Sequence, residues 1–139
     1  MELALKVDHL KAGYDKKVVV PDASFRVPQG KIVSIIGPNG CGKSTVLRTV
    51  TGHLPIMSGS VEIDGRPLGG YSHKSLARKI ACLSQTNTSP EDMTVRRLVG
   101  YGRVPHRKWG FQPLSDADVR AIDEALRFTA ADRLQNELV

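Results

Sequence analysis

The sequence predicts an α/β fold in which an antiparallel hairpin sheet leads into a buried strand, a glycine-rich turn and a helix. Three observations predict it. Short strand-like runs separated by turn residues occupy residues 3–28. Lys31-Ile32-Val33-Ser34-Ile35-Ile36 is almost continuously apolar, the pattern of a strand covered on both faces of a parallel sheet. Directly after a turn containing Gly37, Gly40 and Gly42, the stretch from Lys43 to Thr51 carries Val46, Leu47 and Val50 at helical spacing.

Taken in order, residues 3–10 alternate loosely and read as a strand, and Gly13-Tyr14-Asp15 signals a turn. Val18-Val19-Val20 and Ser24-Phe25-Arg26-Val27 are the next two strands, and Pro28-Gln29-Gly30 turns the chain into the apolar run. Gly52 is placed to end the helix that follows the glycine-rich turn. Residues 58–65 read as turn, strand, turn, residues 74–79 as a short helix, and Ile80-Ala81-Cys82-Leu83 as a second buried strand with Cys82 in the core. Thr94 caps a helix running to about Gly102, and residues 103–114 are loop-like. Ser115 is a good N-cap for a last helix, whose Val119, Ile122 and Leu126, with Ala125, share a face. Asp116 and Asp118 suit its first turn. With Asp123 and Glu124 they are expected to be solvated.

Composition bounds the function classes. The 139 residues have 20 Lys plus Arg against 14 Asp plus Glu, a net charge of +6, with 40% apolar and 24% charged residues. That is a folding composition, neither disordered nor collagen-like. No apolar run reaches the roughly 18 residues of a membrane span, and the start shows no signal-peptide pattern. Cys41 and Cys82 make no disulfide framework, so a reducing, cytoplasmic setting is expected. Basic residues are scattered and aromatics are only 5%, so stacking platforms for bases are scarce and no nucleic-acid partner is expected.

Gly37-Pro38-Asn39-Gly40-Cys41-Gly42-Lys43-Ser44 matches the phosphate-loop pattern G-x-x-x-x-G-K-[ST] without departure. Chance supplies its four fixed positions in roughly one chain of this length in two hundred. Glycines let the backbone turn tightly and approach an anion, and the N–H groups around residues 40–45 converge on it at a helix N-terminus. Lys43 reaches the β- and γ-phosphates, Ser44 ligates Mg²⁺, and Thr45 donates to the α-phosphate. The expected ligands are therefore ATP and Mg²⁺, on a P-loop NTPase fold. Cys41 is expected to be a small residue in a tight place; a thiol activated by the helix N-terminus is the alternative.

The run from Gly37 to Thr45 closely resembles the loop of ABC transporter ATPases. Tyr14 sits where that family places an aromatic residue stacked on adenine, and Ser58-Gly59-Ser60-Val61 with Asp64-Gly65 resembles its hairpin. Gln85, in Leu83-Ser84-Gln85, matches the family's Q-loop glutamine, which implies a place near Mg²⁺ and the attacking water. Residues 76–85, Thr94-Val95 and Tyr101-Gly102-Arg103-Val104-Pro105-His106 resemble the branch that imports iron–siderophore, haem or cobalamin. The resemblance implies an ABC ATPase fold and a homodimer of ATP-binding subunits docked on membrane permease subunits through residues 86–110. It further implies peripheral attachment on the cytoplasmic face, with Arg96, Arg97, Arg103 and Arg107 expected on the contact.

Lys43 and Gln85 are the candidate catalytic residues. Tyr14 with Gly37, Pro38, Asn39, Gly40, Cys41, Gly42, Lys43, Ser44 and Thr45 are the candidate nucleotide ligands, and Ser44 with Gln85 the candidate Mg²⁺ ligands. The family's Leu-Ser-Gly-Gly-Gln signature, its Walker B aspartate with the adjacent glutamate, and its switch histidine find no match. The chain is therefore expected to be an N-terminal portion of an ABC ATP-binding domain. About 1–85 would be a β subdomain plus nucleotide core, and about 86–139 the start of a helical subdomain. By itself it is expected not to hydrolyse ATP, and to self-associate through uncovered apolar strands at 32–36 and 80–84. A small-molecule kinase and a non-catalytic binding module remain as alternatives.

Overall fold

A computed structural model describes residues 2–85, 89–108 and 113–139. The chain divides into two units, Met1–Leu76 and Ala77–Val139.

The first unit is built on a long strand, β1 (Leu3–Tyr14). It pairs antiparallel with β2 (Lys17–Val20), β3 (Phe25–Pro28) and β4 (Ser58–Ile63), and β4 pairs with the two-residue β5 (Arg66–Pro67). β1 extends through the expected turn: Tyr14 still pairs with Lys17, and the reversal falls on Asp15 and Lys16, with Asp15 at φ 53°. The loose alternation of β1 has a cause. Val7 is buried, yet so are Leu10 and Ala12, which a flat strand would put on the opposite face. A bulge between Asp8 and Lys11 supplies the extra residue that flips the parity, with His9 at φ 47°. β4 accommodates it through Gly59, where a Cβ would come within 2.1 Å of the His9 carbonyl oxygen. The bulge is tied down by the His9 N–H, which donates to Ser24 Oγ at 2.9 Å.

One helix, α1 (Lys43–Val50), packs its Val46 and Val50 into the cluster formed by Val7, Leu10, Ala12, Val20 and Val61. Gly52, at φ 78°, follows α1 in the left-handed conformation that closes a helix C-terminus. A single turn and a half, α2 (His73–Ala77), lies near the end of this unit.

The two expected buried strands are not found. Residues 31–36 carry no strand pairing among the described residues, and Ile32 and Ile36 are 97% and 92% exposed. Residues 80–84 likewise carry no strand pairing among the described residues, Leu83 is 89% exposed and Cys82 is at the surface, not in a core. A fully apolar strand is buried only when strands flank it and helices cover both faces, and the described residues supply neither. All the pairing they show is antiparallel.

In the second unit, α3 (Val95–Gly100) is capped by Thr94, whose hydroxyl accepts from the Arg97 N–H. It continues as a 3-10 turn through Tyr101–His106, part of the stretch expected to be a loop. α4 (Asp116–Phe128) begins with a full capping box from Ser115 and Asp118. Ile122 and Leu126 are buried as expected and Val119 is half-buried, while Ala125 is exposed.

Asp118 is not a solvated position. Its carboxylate accepts from Ser115 Oγ at 2.6 Å and from Arg103 Nε at 2.8 Å, and the residue is 7% exposed. Asp123 is also engaged, accepting from Arg96 at 2.7 Å. The Ser115 hydrogen bond first, and the Arg103 guanidinium second, hold the Asp118 carboxyl down at about 2 against its ordinary 3.8. A depressed carboxyl contributes stability that is complete above 3.8 and lost as pH falls through about 2. Asp118→Asn is therefore expected to lower the stability of this unit at neutral pH and to flatten its acid dependence in that window. Urea unfolding at neutral pH and at about pH 3 reads the difference.

Candidate phosphate-binding loop

The loop is fastened to the fold through α1. Thr45, Val46, Thr49 and Val50 are buried, and the Thr49 hydroxyl donates to the Thr45 carbonyl at 2.8 Å. Gly42 is the N-cap at φ 101°, and a Cβ there would meet Val20 Cγ2 at 2.8 Å. Both the backbone conformation and the close approach to β2 demand glycine. Gly42→Val is expected to destabilise the first unit and displace the start of α1 by conformational strain and collision together. Thermal unfolding and loss of phosphate binding would report it.

Upstream, Gly40 sits at φ 83° with open space where a side chain would project. Residues 37–41 are exposed, and Ser44 is exposed on the first turn of α1. Lys43 bends back over the loop: its ammonium donates to the carbonyls of Gly37 and Pro38, both at 2.7 Å, and lies 3.8 Å from Cys41 Sγ. These carbonyls are exchangeable partners for an ammonium that meets an anion. A Cβ on Gly37 would approach the Cys41 sulfur to 2.8 Å, and Cys41 itself is exposed. The donor set suits a polyphosphate with a hard cation. It offers helix N-terminal N–H groups, one ammonium and an accessible hydroxyl oxygen.

Tyr14 is brought to the same helix. The Arg48 guanidinium donates to its hydroxyl at 3.2 Å. Hydrogen bonding with Thr45 first, then with Arg48 and its charge, lowers the Tyr14 phenol below its ordinary value, against an opposing effect of desolvation. The structure thus assembles Tyr14 and residues 37–45 within the first unit. Gln85 belongs to the second unit, where it is exposed in a bend. Arg48 was not legible as a site residue, because nothing in a helical repeat says which strand end a long exposed side chain will reach.

The basic residues expected to face a permease are partly spent internally. Arg96 donates to Asp123 and to Gln135, Arg103 to Asp118, and Arg97 lies 3.8 Å from Asp92. Residues 86–88 and 109–110 of the 86–110 stretch lie outside the described residues.

A family profile described as ABC transporter matches residues 20–139. The chain belongs to the ABC transporter family. Two curated ABC relatives illustrate the likeness. The iron(3+)-hydroxamate import ATP-binding protein of Bacillus subtilis (strain 168) is 42% identical over 126 residues, covering 91% of this chain and 46% of that protein. The ferric enterobactin transport ATP-binding protein of Escherichia coli (strain K12) is 38% identical over 135 residues, covering 97% and 49%. A solved structure of an ATP-binding subunit of an ABC transporter superposes with a TM-score of 0.77 at 26% identity, covering 97% of this chain and 54% of that one. The chain thus spans about half the length of the curated ABC relatives it matches. The expected fold class is the one these matches show. Among the described residues, no helix is long and apolar enough to cross a membrane.

Proposed function

We propose that the chain carries the nucleotide-holding part of the ATP-binding subunit of an ABC importer, with a ferric siderophore or haem as cargo. The observation that carries the reading is the phosphate loop itself, glycine-built, solvent-open and seated on α1 with the Lys43 ammonium folded over it. The relatives' names, covering iron(3+)-hydroxamate, ferric enterobactin and hemin, support the cargo class.

In this reading the N–H groups at the start of α1 bind the β-phosphate, and Lys43 exchanges its two carbonyl partners for phosphate oxygens. Thr45 orients the α-phosphate, and Tyr14 lays its ring on adenine. Ser44 would hold Mg²⁺, which supplies charge neutralisation to the phosphates when bound. The subunit would pair with a copy of itself on the cytoplasmic face of the membrane. Leu98, Tyr101 and Val104, all exposed, lie in the stretch 86–110 that would face the permease. Residues 1–139 would form one incomplete domain, with the signature, Walker B pair and switch histidine supplied elsewhere.

After the loop the sequence shows no run of four apolar residues ending in Asp-Glu, the pattern with which the family orients Mg²⁺ and deprotonates water. The 139-residue chain is expected to bind nucleotide weakly, if at all, and not to turn it over. A phosphate-release assay tests this: steady hydrolysis that disappears in Lys43→Ala would overturn it.

A further inference from the structure

The geometry points to Arg48 as a positioning residue that fixes the Tyr14 ring relative to the phosphate loop, so that base and phosphate recognition are set by one helix. The inference rests on the reading that Tyr14 meets the base, and it adds to that reading a residue outside the loop motif.

Tyr14 ends β1 beside the Asp15-Lys16 reversal, where a side chain ordinarily has rotamer freedom. Here its hydroxyl is anchored at 3.2 Å by the Arg48 guanidinium. Thr45 and Arg48 stand three residues apart and so share one face of α1. Thr45 is itself a loop residue and is 4% exposed.

The backbone that carries the anchor is pinned. The Arg48 carbonyl accepts from the His53 and Leu54 N–H groups at 2.8 and 3.1 Å, closing the C-terminal end of α1. The strand end is closely packed as well, since Gly13 is buried and a Cβ on it would overlap the Lys17 carbonyl oxygen. With its hydroxyl fastened, Tyr14 as a residue is still 39% exposed, which leaves room for a planar group to stack on it. A ring already held in place loses less freedom when it stacks. The hydroxyl therefore contributes to base affinity without touching the base.

The test compares ATP with tripolyphosphate, which has the phosphates and no base, by ligand-observed NMR titration into the millimolar range. Arg48→Met keeps the aliphatic stem and removes the donor, Tyr14→Phe keeps the ring and removes the acceptor, and Tyr14→Ala removes the ring. Arg48→Met and Tyr14→Phe are each expected to weaken ATP about threefold to tenfold, the scale of one hydrogen bond, and to leave tripolyphosphate unchanged. Combining them should be no worse than Tyr14→Phe alone, because that variant already removes the hydroxyl to which Arg48 donates. Arg48→Lys, which restores a cationic donor, should recover part of the loss. Thermal unfolding of each variant separates loss of fold, which would weaken both ligands together.

If Tyr14→Ala weakens ATP selectively while Arg48→Met and Tyr14→Phe do not, the positioning inference fails and the base-stacking reading survives. If Tyr14→Ala also leaves the ATP-to-tripolyphosphate ratio unchanged, the base-stacking reading fails with it. If the unmodified chain binds neither ligand, both fall.

Discussion

Lys43→Ala is expected to weaken binding of ATP and of tripolyphosphate alike by about a hundredfold, the effect of losing charge-assisted contacts worth ~1.5–3 kcal/mol each. The ammonium sits over the loop already, donating to the Gly37 and Pro38 carbonyls at 2.7 Å each. Its removal leaves the anion to backbone N–H groups and neutral hydroxyls. The fold should hardly respond. Residues 37 and 38 are solvent-exposed, α1 keeps its buried Val46 and Val50, and the change in unfolding free energy should stay under about 1 kcal/mol. Equal loss for both ligands with an unchanged melting curve is the signature. A loss confined to ATP would mean that Lys43 does not reach the phosphates.

Leu10→Ala is expected to cost about 2–5 kcal/mol of stability, a large share of the ~5–15 kcal/mol typical of a domain. Leu10 is fully buried, among Val7, Ala12, Val20, Val46, Val50 and Val61. Its backbone exchanges hydrogen bonds with Ala23 at 2.9 and 3.0 Å, and alanine keeps both. The loss is therefore the side chain's transfer energy and the cavity it leaves. Urea unfolding monitored by circular dichroism would measure it as a lower midpoint at unchanged slope. Because the bulge at His9 sends Leu10 inward, Lys11→Ala beside it should cost far less.

The contrast between these positions shows what the sequence could convey. Local chemistry was legible. The loop motif, α1 with Gly52 behind it, the hairpin strands, and the caps Thr94 and Ser115 depend on residues a few positions apart. What escaped was set by partners distant in the chain. The parity change at His9 depends on Gly59, and the burial of Asp118 on Arg103. The turn at Gly13-Tyr14-Asp15 was displaced by one residue because Tyr14 keeps its pairing with Lys17. Residues 31–36 and 80–84 failed for the opposite reason. Their apolar pattern states a demand for neighbours, and a pattern cannot supply the neighbours. Within the site, the glycines and Lys43 were readable from spacing, whereas Arg48 became visible only once β1 and α1 were side by side.

The exposed segment at 31–36 has a thermodynamic corollary. The loop hangs from α1 on one side, while the arm that enters it is a stretch rich in isoleucine and valine with no strand beside it among the described residues. Any polypeptide that pairs with that arm must immobilise the same backbone an anion needs immobilised. Each event then prepays part of the other's ordering entropy, and linkage makes the benefit mutual. Strand addition at Ile32–Ile36 and phosphate capture at Gly37–Thr45 would thus behave as two cooperative ligands of a single short segment.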